Sequence, residues 1–298
     1  MLTFDIDVAD HGRCVESFLQ NLLPGAPSAY LKKLIRSGHL TLNGAAVSFD
    51  AVVRRGDHLA LKESGRTLSF LGVSHPDLDI LYEDDRIVAV NKPAGLPMHR
   101  TAEHGELNLV DAARGFFRWR GDDCSLRPVN RLDKGTSGAV ILAKSSTAAG
   151  MFGRLVKEEG LGKLYLALAA GAVPESGTVS EPLDGKESET RFRRLALLGE
   201  VSLLALYPVT GRMHQIRRHL QMIGHPVLGD LRYGGSSVSG WRGHALHSFR
   251  THTTHPETGR ELIITAPLPS DFIACLSTAA LDDSGSLLDS LFDLPLAF

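Results

Sequence analysis

Residues 129–144 read Val-Asn-Arg-Leu-Asp-Lys-Gly-Thr-Ser-Gly-Ala-Val-Ile-Leu-Ala-Lys, and no other part of the chain is as informative. A charged Arg131-Leu132-Asp133 step precedes two glycines, which permit tight or left-handed backbone, and then an aliphatic run. The run at 139–143 is short and apolar enough to be a buried strand. We therefore expect Asp133 at the mouth of a sheet, where a single carboxylate can be oriented and partly desolvated. Local composition alone favours an ordinary turn, in which Asp is common.

The composition places the chain among globular proteins. Its 298 residues are enough for one or two domains with a large core. The sequence has no apolar run of the ~18 residues that a membrane span needs, and its start is acidic rather than basic, so we expect neither a membrane partner nor a secretory signal. The three cysteines are odd in number and far apart, which favours a reducing, cytoplasmic location over a disulfide framework.

The net charge of −2 argues weakly against a nucleic-acid partner. However, the last 28 residues contain five aspartates and no Lys or Arg, so the rest of the chain is positive. The charge of the tail therefore says little about the working surface.

The sequence divides into an N-terminal domain at 1–66, a linker at 67–76, a larger domain at 77–276 and an acidic tail at 277–298. In the first, a small α/β domain, apolar spacing predicts a helix over 15–23 and a second from Ser28, its expected N-cap, to Gly38. Two short strands, one at 39–43 and one from Val52, follow. The larger domain has many short aliphatic runs, which predicts an α+β fold with a mixed, largely antiparallel sheet. The tail is either a weak amphipathic helix packed on the body or disordered.

The second predicted helix has a basic face, and a further basic residue follows in a turn: Lys32, Lys33, Arg36 and Arg55. The segment 28–66 has seven Lys/Arg against three acidic residues, which suits phosphate contacts, although such a face is more often simply solvated. The stretch 30–44, followed by Arg55-Gly56-Asp57, resembles the small S-four-like RNA-binding domain that is named after a ribosomal protein.

The string at 129–144 as a whole resembles the active-site motif of the RluA class of pseudouridine synthases. Four further stretches resemble signatures of the same class in the expected order: 91–99, 162–169, 210–226 and 228–234. The resemblance covers about residues 10–272. It implies a pseudouridine synthase fold and an isomerase that converts uridine to pseudouridine in RNA. Ribosomal RNA of the large subunit is the favoured substrate, and transfer RNA is the alternative.

Three residues have catalytic roles by this resemblance. Asp133 would be the nucleophile or base, and the sequence leaves open whether it attacks the sugar or the base. Tyr165 lies on an alternating strand beside small residues and would stack on the target base. Arg217 lies next to the apolar stripe of a predicted helix; a buried Arg needs a carboxylate partner, which by the resemblance is Asp133. That pairing would favour the ionised carboxylate that a nucleophile needs.

Other residues are expected to contact RNA. Arg131 would fill the space that the flipped base leaves, unless it forms a plain surface ion pair. Arg212 and His214 are expected to contact the RNA near the site. Two positions depart from the family pattern, because Asn130 stands where His is usual and Met213 where Thr is usual. We expect activity to survive both changes, with an effect on RNA positioning.

No metal and no cofactor are expected, and we expect a monomer. The later histidines are irregularly spaced, and the glycine-containing loops match neither a phosphate-binding loop nor a dinucleotide fingerprint. One rival interpretation is an RNA-binding protein of the same fold that has lost catalysis. Another is a base-excising glycosylase with two carboxylates, although the motifs place only one.

Overall fold

Two units of tertiary structure divide the computed structural model, one formed by Met1–Asp77 with Ala112–Cys124 and one by Leu78–Asp111 with Ser125–Phe298. The structure describes residues 1–6, 10–23, 26–64, 66–67, 70, 78–99, 108–120, 122, 124–158, 160–238, 241, 243–279 and 288–295. The domain limits that the sequence suggests remain predictions. No helix of these described ranges is long and apolar enough to cross a membrane.

The first unit is a small antiparallel sheet with two helices. Its elements are β1 (Leu2–Asp5), α1 (Val15–Leu22), α2 (Ser28–Arg36), β2 (Leu40–Leu42), β3 (Ala45–Ala46) and β4 (His58–Leu61), with the strand order β1-β4-β2-β3. Apolar residues of both helices, including Leu19 and Leu31, are buried in one cluster with Leu59 of β4. A turn at Asn43-Gly44 joins β2 to β3, and both residues have positive φ, as type I′ hairpins require.

Two local expectations for this unit need correction, and one strand is additional to those predicted. The strand expected from Val52 begins only at His58, and β1 was not foreseen. Ser28 is the first residue of α2 rather than its cap, because the Pro27 carbonyl already accepts from the Tyr30 N–H at 2.8 Å.

Part of the predicted linker packs on this unit. The Thr67 side chain is buried, and its hydroxyl is 2.9 Å from that of Tyr30. The Phe70 ring lies 5.2 Å from the Tyr30 ring, measured between centroids. Residues 68, 69 and 71–76 of the predicted linker lie outside the described residues.

The second unit is built on a ten-stranded sheet with helices. Its strands are β5 (Ile80–Glu83), β6 (Ile87–Lys92), β7 (Arg127–Pro128), β8 (Ser137–Ala143), β9 (Gly162–Ala170), β10 (Ser176–Val179), β11 (Thr190–Leu198), β12 (Val201–Pro208), β13 (Leu246–Thr254) and β14 (Glu261–Thr265). Its helices are α4 (Ser146–Glu158), α5 (Gln215–Met222) and α6 (Ser270–Ala279), while α3 (Leu109–Trp119) has residues in both units.

The sheet is mostly antiparallel, in the order β10-β11-β12-β9-β13-β8-β6-β5, with β14 on β13 and β7 on β8. Among the described residues, β8 with β13 is the parallel pair and the other pairs of this sheet are antiparallel. Every residue of β8 is buried. The predicted α+β fold with a mixed, largely antiparallel sheet and the predicted buried strand at 139–143 are therefore confirmed.

The described part of the tail packs on this sheet. Leu291 is buried, and the Arg250 guanidinium of β13 donates to the carbonyls of Phe292 and Leu294, both at 2.9 Å. Of the two alternatives for the tail, residues 288–295 follow the packed one.

The parallel pairing of β8 with β13 depends on one glycine. Gly138 has φ +114°, and a Cβ at this position would lie 2.3 Å from the Ser248 carbonyl oxygen. The main chains at Gly138 and Ser248 belong to paired strands, so this clash could be relieved only by disturbing the pairing.

We expect Gly138→Ala to lower the free energy of unfolding by more than about 3 kcal/mol, because it combines backbone strain with a clash between main-chain atoms. Urea unfolding would measure the change. The control is Gly150→Ala in α4, where a Cβ meets nothing within 4 Å. That change should raise helix stability by about 0.5–1 kcal/mol. Equal effects of the two variants would contradict the proposed constraint.

Candidate active site

Asp133 lies in the loop between β7 and β8, at the edge of the sheet where the sequence predicts it. Its side chain is 27% exposed, and it lines a cavity of about 310 Å³. The cavity wall also contains residues of β9, β12 and α5, so the site is assembled from distant parts of the chain. Its volume is within the range of small-molecule sites.

The guanidinium of Arg217 joins Asp133 to a second carboxylate. Its Nη1 donates to Asp133 Oδ2 at 2.8 Å, so the ion pair that the resemblance implies is present. Its Nε and Nη2 donate to the two oxygens of Asp230 at 2.6 and 2.8 Å. Arg217 is 4% exposed and Asp230 is fully buried. Three of the five N–H groups of Arg217 therefore bind carboxylate oxygen.

The charges of this buried group are stabilised by one another. Burial opposes the charge of Arg217, but hydrogen bonds to Asp230 and Asp133 outweigh it and raise the pKa of the guanidinium. Burial likewise opposes the charge of Asp230, yet the hydrogen bonds and charge of Arg217 keep the pKa of this carboxyl below its ordinary value. Both groups are ionised at neutral pH.

Asp230 was missed as a site residue in the sequence. The stretch 228–234 resembles a family signature, but the sequence predicts no role for Asp230. Asp230 could have been predicted from the five N–H donors of Arg217, because a buried guanidinium needs more acceptors than one carboxylate offers.

Tyr233 packs on Arg217, and His214 lies between this ring and Asp133. The Arg217 Cζ atom lies 4.9 Å from the Tyr233 ring centroid, within the range of a cation–π contact. The Tyr233 hydroxyl is 2.9 Å from His214 Nδ1, and His214 Nε2 is 3.8 Å from Asp133 Oδ1. Burial lowers the pKa of His214 although Asp133 opposes the shift, so this histidine is neutral at pH 7.

Tyr165 forms another part of the wall. It lies on β9, is 8% exposed and lines the cavity. Burial raises its pKa to about 12, and the charge of Asp133 adds to the effect. The phenol is therefore neutral at physiological pH. The alternation that separates Tyr165 from the leucines of β9 is present, but residues 164–169 are buried on both faces of the sheet.

A buried lysine holds the neighbouring loop. Lys92 is 0% exposed and donates to the carbonyls of Pro93 at 2.9 Å, Leu96 at 2.8 Å and Lys134 at 3.3 Å. Burial lowers its pKa to about 7, against the opposing effect of Asp133. The stretch 91–99 resembles a family signature, but the sequence does not predict that Lys92 connects this loop to the residue after Asp133.

The Asn130 side chain forms hydrogen bonds with the backbone of β8. Its amide nitrogen donates to the Ala139 carbonyl at 3.1 Å, and its amide oxygen accepts from the Ile141 N–H at 2.8 Å. The side chain thereby continues the β7–β8 pairing up to the Asp133 loop. Met213, the other departure from the family pattern, is 64% exposed.

On its other side, the Asp133 loop packs closely against Gly243 and His244 at Gly135. The His244 N–H donates to the Gly135 carbonyl at 2.8 Å, and a Cβ on Gly135 would lie 2.6 Å from the His244 ring. A Cβ on Gly243 would lie 2.5 Å from the Gly135 carbonyl oxygen. The Asp133 loop is thus fixed on both sides.

The structure brings together six of the predicted site residues around the cavity: Asp133, Tyr165, Arg217, Arg131, Arg212 and His214. Arg131 and Arg212 are exposed at its edge. The other four, Lys32, Lys33, Arg36 and Arg55, are exposed on the first unit. There, the three basic side chains of α2 line a surface depression.

Comparisons with known proteins agree on one family. Residues 86–222 match the family model described as RNA pseudouridylate synthase. The chain is 31% identical, over 78% of its length and 82% of the relative's, to the uncharacterized RNA pseudouridine synthase YhcT of Bacillus subtilis (strain 168). It is 30% identical, over 91% of its length and 94% of the relative's, to the ribosomal large subunit pseudouridine synthase C of Escherichia coli (strain K12). The chain belongs to the RNA pseudouridine synthase family.

The solved structures agree. Human RNA pseudouridylate synthase domain containing 1 is 30% identical and matches 68% of this chain and 89% of its own, with a TM-score of 0.55. The predicted membership of the RluA class and the isomerase class are confirmed, and the substrate of the family is RNA. Asp133, Tyr165 and Arg217 lie inside the span of the family model, whereas Asp230 lies beyond it.

We expect Asp230→Asn to lower the free energy of unfolding by about 3–5 kcal/mol, because it leaves a buried guanidinium with one charged partner. Urea unfolding of the purified variant would measure this. The matched control on the same helix is the exposed pair of Arg218 Nη1 with Asp184 Oδ2 at 2.8 Å. Asp184→Asn should cost less than about 1 kcal/mol. If both variants lost a similar free energy of unfolding, burial of the Asp230–Arg217 pair would not be what makes it stabilising.

Proposed function

We propose that this protein converts a uridine of large-subunit ribosomal RNA to pseudouridine and that Asp133 starts the reaction. The observation that carries this proposal is the Asp133–Arg217 ion pair at the wall of a cavity that Tyr165 also lines. In the reaction the N1–C1′ bond breaks and a C5–C1′ bond forms, while C5 loses a proton and N1 gains one. Whether the carboxylate attacks the sugar or the base, it must be aimed at the substrate, and the hydrogen bond from Arg217 Nη1 holds its orientation.

Asp230 leaves Asp133 available for this chemistry. It accepts two hydrogen bonds from Arg217, and only Nη1 of the guanidinium reaches Asp133. Asp133 is thus held by one hydrogen bond, and its Oδ1 lies 3.8 Å from the neutral His214 ring. An oxygen of Asp133 can therefore meet the substrate without breaking the ion pair.

Tyr165 is suited to stack on the uracil rather than to act as a base. Its raised pKa keeps the phenol protonated, and the apolar side chains of Leu132, Ile216 and Leu246 line the same cavity. An apolar wall excludes water, and this protects the reaction from release of free uracil.

The uridine must leave its stack to reach Asp133, which costs a few kcal/mol. We propose that Arg131, exposed at the edge of the cavity, fills the vacated position, and that Arg212 binds the RNA backbone next to it. The basic residues of the first unit, on α2 and at Arg55, would bind further phosphates.

Ribosomal RNA is favoured over transfer RNA for two reasons. The first unit resembles an RNA-binding domain named after a ribosomal protein, and a relative that is 30% identical along 91% of the chain is named for the large ribosomal subunit. We place the reaction in the cytoplasm, in line with the cysteine usage of the sequence.

We expect Asp133→Asn to lower pseudouridine formation in large-subunit ribosomal RNA by at least about 10³-fold, because the amide is neither a nucleophile nor a base. Carbodiimide modification followed by primer extension would measure the product. The variant should still bind the RNA. Equal conversion by wild type and variant, or none by either, would contradict the enzyme proposal, and release of free uracil would indicate a glycosylase.

We expect the triple variant Lys32→Gln, Lys33→Gln, Arg36→Gln to bind RNA more weakly. The slope of log K against log salt should become shallower by about 2–3, since each lost phosphate contact removes about 0.7–0.9. Filter binding over a range of salt concentrations would measure both changes. Arg260→Gln, a change at another exposed cation, is the control and should alter neither. An unchanged slope in the triple variant would exclude α2 from the RNA interface.

A further inference from the structure

One lysine in the candidate active site has a charge that no described group compensates. Lys163 lies on β9, two residues before Tyr165, and lines the same cavity. Most of its side chain is buried, and burial lowers its pKa with no opposing carboxylate. Among the described residues no hydrogen-bond or ion-pair partner reaches its ammonium group.

Other buried cations of the second unit differ in this respect. Lys92 donates to three carbonyls, Arg217 to two carboxylates and Arg250 to two carbonyls. The Lys163 side chain is only partly buried, so its ammonium group meets solvent in the cavity rather than a protein acceptor. An unpaired cation that lines a cavity is available to an acceptor of the molecule that occupies it.

The position of Lys163 indicates which part of that molecule it meets. The Lys163 Nζ lies close to the exposed Gly211, at 3.7 Å from where a Cβ on that residue would stand. Gly211 is the neighbour of Arg212 at the edge of the cavity. Tyr165, which faces the base in the proposed complex, is more deeply buried. Residues two apart on a strand are separated by about 6.5 Å, so Lys163 meets a group nearer to solvent than the base. In a nucleotide that group is the phosphate, whose charge also gives the strongest hydrogen bond to an ammonium.

We propose that Lys163 binds a backbone phosphate that flanks the uridine in the cavity. This inference rests on the proposed function, because it assigns a substrate contact within the same site. Lys163 is then a substrate-binding residue, and its ammonium group exchanges water for a phosphate oxygen in the complex with RNA.

The first test is stability. Lys163→Met keeps an unbranched side chain and removes the charge, so its urea unfolding midpoint should equal or exceed that of the wild type. The control is Lys144→Met, where Lys144 Nζ is 2.7 Å from Glu83 Oε1, and this variant should unfold at lower urea. A lower midpoint for Lys163→Met would mean that the ammonium has a partner inside the protein, and it would overturn the proposal.

The second test is direct binding of two probes to the full chain, uridine and uridine 3′,5′-bisphosphate, by NMR titration. The wild type should prefer the bisphosphate by about tenfold or more, as expected for a charge-assisted contact. Lys163→Met should lose this preference and keep its affinity for uridine, whereas Lys163→Arg should retain the preference. No preference in the wild type, or equal loss for both probes in Lys163→Met, would overturn the proposal.

This experiment separates the two proposals. If Lys163 governs binding of the bisphosphate but the wild type forms no pseudouridine, the phosphate contact stands and the proposed function fails. If the wild type forms pseudouridine and Lys163→Met does so with an unchanged KM, the function stands and the phosphate contact is wrong.

Discussion

The hydrogen-bonded chain Asp230–Arg217–Asp133 is the interaction on which the site depends. A buried guanidinium between two carboxylates finds charged acceptors for three of its N–H groups, more than either carboxylate alone supplies here. The arrangement is unequal, because Asp230 is fully buried and takes two hydrogen bonds, while Asp133 is partly exposed and takes one. Asp230 therefore holds the cation in place, and Asp133 Oδ1 accepts no hydrogen bond from Arg217.

The sheet must bring three separate segments together for this chain to form. Asp133 precedes β8, Arg217 is on α5, and Asp230 follows α5 by several residues. The residues just before β13 contact two of these segments, because the His244 N–H donates to the Gly135 carbonyl and the Ala245 N–H donates to the Leu228 carbonyl. The parallel pairing of β8 with β13 that follows requires main-chain atoms to approach where Gly138 meets Ser248. Gly135 and Gly243 allow a similar approach beside the Asp133 loop. The glycines of the opening motif are thus needed for the position of Asp133 as much as for the shape of its turn.

Sequence patterns predicted the parts of this structure that depend on local order. The apolar run at 139–143 and the apolar stripe beside Arg217 each depend on a few neighbouring residues, and the structure has both of them buried. Asp230 and Lys92 were not predicted as parts of the site, because their roles come from partners 13 and 42 residues away in sequence. Periodicity indicates that a position is buried, but it does not identify which acceptor a buried cation will find. Likewise, alternation along β9 separated the two faces but could not show that both are covered.

The two departures from the family pattern differ in physical consequence. Asn130 supplies one donor and one acceptor to the backbone of β8, so its position requires a hydrogen-bonding group of suitable reach rather than a titrating one. Met213 is exposed beside His214, whose left-handed backbone at φ 54° begins α5. A change at Met213 therefore alters the exposed surface before α5, and a change at Asn130 alters the support of the Asp133 loop. Neither residue is hydrogen-bonded to Arg217 or Asp230. The charge arrangement of the site thus tolerates variation at both positions.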